Sequence, residues 1–119
     1  MIAVGGHYLE PLPGLLVRAA CPFGGGIGGS HQELCGALAG GVIVLGALYG
    51  RETSAVDDTW IQALAAEFRE RFQAHFKDTR CQSIRDRWRD PAQGCLPVVL
   101  EAVELLLDLL PQSEADVTL

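Results

Sequence analysis

The chain is short of positive charge, aromatic rings and long apolar runs, and its cysteines are widely spaced. Only 9 Lys and Arg stand against 15 Asp and Glu in 119 residues, a formal net charge of −6. Binding a phosphate backbone requires a basic surface, so no nucleic-acid partner is expected. The longest stretch without a formal charge, 34–50, is rich in glycine and falls short of the roughly 20 apolar residues that cross a bilayer. No membrane partner is expected either. The opening "MIAVGGHYLEPLPG" lacks the basic start and apolar run of a secretory leader, which predicts a cytoplasmic protein. Four cysteines in that setting point to reduced thiols, metal binding or redox chemistry rather than to a disulfide scaffold. No C-x-x-C occurs, which argues against a thioredoxin dithiol and a zinc knuckle. No Gly-Lys-Ser/Thr follows the glycine loop, so it is not a nucleotide-binding P-loop.

What is present is concentrated. "FGGGIGGSHQELCGALAGG", Phe23 to Gly41, holds eight of the 14 glycines and one cysteine. Seven of the nine Lys and Arg lie between Arg69 and Arg89, a local basic segment that reads as a solvated helix face laced with ion pairs. Apolar residues make up 49%, enough for one ordinary globular core. Residues 1–119 are read as a single helical domain, with 11–110 as its core and 111–119 as a tail.

The expected class is all-α: a small bundle of about five helices with a glycine-rich loop before a central glycine-rich helix. Leu12 to Ala20 reads as a short helix, ended at Cys21 because the residue before Pro22 is pushed out of the helical region. Ser30 and Glu33 have capping-box spacing, which predicts a helix from Ser30 to about Tyr49. Gly36 and Gly40, then Gly46 and Gly50, would give it a strip bare of side chains, suited to the close approach of another backbone. Asp57 or Asp58 caps the next helix, on which Trp60, Leu64, Phe68, Phe72 and Phe76 recur every fourth residue as a core stripe. Thr79 and Gln82 form another capping box, opening a helix to about Trp88. The last helix runs from Leu96 to about Leu110; its one narrow polar stripe predicts burial on most sides, in the core or in a dimer interface.

On these helices Cys35 falls in the second turn, Cys81 in the first turn and Cys95 just ahead of the start. All three sit near helix N-termini, where free amides and the dipole favour a thiolate. Cys21 closes a helix and is the odd one out. His31 precedes Cys35 by four residues, one turn away if both are helical, so the pair could be base and thiol or two metal ligands. The glycine loop could present bare amides to an anion. Arg80, Arg85, Arg87 and Arg89 flank Cys81, and any that reach it would favour its thiolate.

"FGGGIG", then "CGALAGGVIVLGALYGR", then isolated Cys81 and Cys95 closely resemble the C-GCAxxG-C-C family of redox-active proteins, over about Leu15 to Leu110. The resemblance implies a small helical protein with redox roles for Cys35, Cys81 and Cys95, and an iron–sulfur cluster or another thiolate-bound metal as cofactor. Gly24, Gly25, Gly26 and Gly36 are the residues expected to border that centre. The signature's leading cysteine has no counterpart ahead of the loop, and Leu34 stands where its glycine precedes the second cysteine. A fourth ligand would therefore have to be Cys21, His31 or a group from outside. The function expected is metal or cluster binding, or thiol–disulfide exchange, with a redox partner protein. The alternatives are a helical interaction or homo-oligomerisation module with structural cysteines, and a family member that has lost its centre.

Overall fold

The computed structural model describes residues 1–110; the expected tail, 111–119, lies outside the described residues. Those residues form six α-helices: α1 (Ile2–Tyr8), α2 (Gly14–Ala20), α3 (Gly36–Tyr49), α4 (Thr59–Phe76), α5 (Cys81–Trp88) and α6 (Leu96–Leu109). A 3-10 turn, Cys21–Phe23, leads into the glycine loop. The described residues contain no strand, only the isolated antiparallel bridges Leu34–Arg80 and Asp90–Gly94. The all-α expectation holds.

The first helix was not foreseen. No helix was expected ahead of Leu12, yet Val4 is buried in the core and α1 packs on α3 and α6. The core thus also takes in residues ahead of position 11. Helix α3 is the centre of the bundle, touching α1, α2, α4 and α6. It is apolar on every side, as a helix enclosed by neighbours should be. Its glycines are where those neighbours come close. A Cβ at Gly36 would stand 3.4 Å from the Phe23 carbonyl oxygen, and one at Gly40 would stand 3.0 Å from the Met1 nitrogen. One at Gly41 would strike the Phe68 ring, whereas Gly46 faces open space. The bare strip is therefore filled from within the chain over its first half.

Helix α4 turns its aromatic stripe inward, and Phe68, Phe72 and Phe76 are wholly buried. Each ring contributes about 1.5–3 kcal/mol by leaving water. The helix is stopped at Lys77, whose left-handed backbone (φ 67°) returns its amide to the Gln73 carbonyl. Beyond this stop, Trp88 stacks on His75 and packs edge-on against Phe76, fixing α5 against the end of α4. Helix α6 buries Val98, Ala102 and Leu106 on one side only. Leu96, Val99, Leu100 and Leu107 remain exposed, so of the two expected settings, core or dimer interface, the core of this chain covers only one side of α6. No helix of the described residues is long and apolar enough to cross a membrane.

Candidate functional site

Cys35 and Cys81 are 46 positions apart in sequence and are joined through their backbones. The Cys35 amide donates to the Thr79 carbonyl at 2.8 Å, and the Cys81 amide donates to the Glu33 carbonyl at 2.8 Å. These two bonds flank the Leu34–Arg80 bridge. Cys35 and Cys81 consequently sit one step beyond the bridged pair on each strand, on the same face, as diagonal neighbours. A third bond, from the Gln82 amide to the His31 carbonyl at 3.0 Å, extends the join.

The bridge also sets where the helices begin. Cys35 is extended (φ −58°, ψ 138°) and is the N-cap of α3, so the helix starts at Gly36 rather than Ser30. The Ser30–Glu33 capping box does not form. Ser30 Oγ instead donates to the Gly26 carbonyl, and the Glu33 amide donates to the same oxygen. His31 is left-handed (φ 62°) and lies outside any helix, so the expected one-turn His31–Cys35 pair is not made. The capping at Cys81 differs too. Asp78 Oδ1 accepts from the amides of Thr79 and Arg80, and these bonds hold its carboxyl below the ordinary range. Cys81 follows as the first residue of α5.

Cys95 is placed by the second bridge. Asp90 and Gly94 exchange both backbone bonds at 2.8 Å, while Asp90 Oδ1 accepts from the Ala92 and Gln93 amides. Gly94 turns left-handed (φ 64°) and delivers Cys95 as the N-cap of α6. Three helix starts therefore meet around one cavity of about 420 Å³. It is lined by Cys35, Cys81, Cys95, Gly25, Gly36 and Arg85, with Arg89, Val98 and Val99 among the remaining wall. Cys35 and Cys81 are buried, and Cys95 is half-exposed. All are free thiols.

The helix starts do not produce thiolates here. Burial pushes the Cys35 thiol up, against the lowering influence of the Ala37 and Leu38 amides; charge on Cys81 or Cys95 would raise it further. Those amides favour the charged form without completing a capping hydrogen bond. Cys81 is also pushed up, again by burial first, with Arg85 pulling the other way and Cys95 adding to the rise. The expected depression is thus reversed at both positions because desolvation outweighs the dipole and the arginine. The interactions also show that each of the three sulfurs lies within electrostatic range of the other two.

Other expected groups fall elsewhere. Cys21 is exposed and opens on a separate apolar groove with Ile2, Val17 and Val103; Val99 borders both recesses. Of the four glycines, Gly25 and Gly36 line the cavity. Gly26 backs it: its left-handed backbone (φ 70°) leaves so little room that a Cβ would stand 2.6 Å from the Cys81 Cβ. Gly25 to Gly29 all have positive φ, a left-handed turn that includes Ile27. Most of its amides are spent internally, on carbonyls from Pro22 to Ile27, so it does not form the open anion nest that the sequence suggested.

The chain fits the model of the C_GCAxxG_C_C family, described as "Putative redox-active protein", over residues 3–109. The chain belongs to this family. No curated protein and no solved structure matches it. The metal or cluster implied by the resemblance would need its donors gathered at one point. Cys21 faces another recess, and His31 is not among the cavity's lining residues. Among the described residues no group of three or more His, Cys, Asp or Glu is arranged to hold a metal ion. The donor set as folded does not fit one. Sequence reasoning named Arg85 and Arg89 only as neighbours of Cys81; their helical spacing of four was the clue that both could face one side.

Proposed function

We propose that this family member is a thiol–disulfide exchange protein whose working pair is Cys95 and Cys81. The observation that carries the reading is the meeting of three free thiols on one open cavity, graded from half-exposed Cys95 to buried Cys81 and Cys35. The attacking group must be reached from solvent, which selects Cys95. Its thiolate forms a bond to one sulfur of an incoming disulfide and expels the other as a thiolate. The Cys81 thiolate then attacks Cys95 Sγ, releasing the second half as a thiolate and leaving a Cys81–Cys95 disulfide. The substrate disulfide gains two electrons and, once its two thiolates are protonated, two protons; the chain loses two electrons and its two thiol protons. Arg85 favours the Cys81 thiolate needed for the second step. Cys35, whose thiol burial keeps protonated, stays outside the working pair and forms part of the cavity wall.

Incubation with a small disulfide followed by peptide mapping tests this. Cys81→Ser should trap a mixed disulfide on Cys95, Cys95→Ser should stop exchange, and Cys21→Ser should leave it unchanged. Full exchange in Cys95→Ser overturns the assignment. So does an anaerobic preparation with stoichiometric iron or zinc and all three thiols blocked.

A further inference from the structure

The cavity carries two guanidinium groups with nothing anionic to meet them. Arg85 in the last turn of α5 and Arg89 at its C-cap both belong to the lining. Among the described residues, Arg51, Arg69 and Arg71 are in ion pairs with Asp58, Glu70 and Glu67, whereas Arg85 and Arg89 are in none. Arg18, Lys77, Arg80 and Arg87 are likewise in none, so what sets Arg85 and Arg89 apart is their place on the cavity wall. No Asp or Glu lines the cavity. The remaining wall is apolar or thiol, and includes Val98, Val99 and the three cysteines.

Resting on the exchange reading above, we infer that the substrate is a low-molecular-weight disulfide bearing carboxylates, held by Arg85 and Arg89 with its sulfurs over Cys95. A volume of about 420 Å³ lies in the range that encloses a small molecule. The forked guanidinium is suited to carboxylate recognition. The same positive field would stabilise the thiolate that leaves in the first step. Dependence on charge follows from the site's own composition, since thiols and valines cannot distinguish anionic from neutral disulfides.

The test compares three disulfides: dithiodipropionate (anionic), hydroxyethyl disulfide (neutral) and cystamine (cationic). Each rate is divided by that of a free model thiol with the same disulfide, which removes intrinsic reactivity. The expected order is anionic, neutral, cationic, with the anionic probe favoured over the neutral one on the order of tenfold at low salt and less at high salt. In the Arg85→Gln, Arg89→Gln double variant the ratio of the anionic to the neutral normalised rate should fall to about one, on top of a slowing common to all probes from the loss of Arg85 beside Cys81. An unchanged circular dichroism spectrum and melting curve serve as the check that the variant is folded. Arg89→Lys should keep part of the preference. Equal normalised rates for all three probes in the wild-type chain overturn the inference and leave the exchange reading standing. A double variant whose anionic-to-neutral rate ratio stays at the wild-type value also overturns it. No exchange with any probe refutes the exchange reading itself.

Discussion

Gly26→Ala measures how tightly the glycine loop is seated behind Cys81. Two separate costs are expected. An L-residue at φ 70° costs roughly 1–2 kcal/mol. The new methyl would also stand 2.6 Å from the Cys81 Cβ and 2.9 Å from the His31 Cα, and neither is a flexible chain end. Forcing them apart costs about 1–3 kcal/mol, as overpacking elsewhere does. The sum is about 2–5 kcal/mol. Gly28→Ala supplies the control, because Gly28 has φ 61° and open space around its absent side chain. It should show the conformational cost alone. Urea denaturation of the two variants gives the difference, and alkylation of Cys81 should be faster in Gly26→Ala because its backing has shifted. Equal destabilisation of the two variants, with unchanged Cys81 alkylation, would refute the claim that the loop is packed against that thiol.

Two further outcomes follow from burial. Gly46→Ala, in open space on α3, should stabilise by about 0.5–1 kcal/mol in denaturant titration, whereas Gly41→Ala, which meets the Phe68 ring, should destabilise by about 1–3 kcal/mol. The raised Cys35 and Cys81 thiols are uncharged in the folded chain at pH values where an unfolded thiol ionises. Their contribution to stability is complete below the ordinary thiol value of 9.0 and is lost as pH rises through and beyond it. The Tm should therefore fall from pH 8 to pH 10.5, and fall less in Cys35→Ala. The Met1 amine, lowered by burial, acts in the opposite sense around its ordinary value of 8.0, which makes pH 8 the proper starting point.

The parts of this fold legible in sequence were those governed by local periodicity. The four-residue recurrence through Phe68, Phe72 and Phe76 identified the buried side of α4, and Pro97 marked the start of α6. The capping boxes failed at both Ser30 and Thr79 for one reason. Residues 33–35 and 79–81 pair with each other, and a pairing across 46 positions leaves no trace in either segment alone. The same pairing brought Cys35 and Cys81 to one cavity, so the grouping of the thiols could be expected from their helix starts but the backbone clasp that makes it could not. The direction of their acidity was misjudged because burial is a property of the packed molecule. The first helix was missed because Gly5 and Gly6 disguise it; only the packing of Val4 among α3 and α6 makes it worthwhile.

The clasp between Glu33, Cys35, Thr79 and Cys81 is made from carbonyls and amides, which every residue type except proline provides in full. Its strength owes nothing to sulfur. Chemistry at positions 35 and 81 is thus separable from architecture: either thiol can be exchanged for another group while the two helix starts stay where they are. A frame of this kind can outlive a change of reaction.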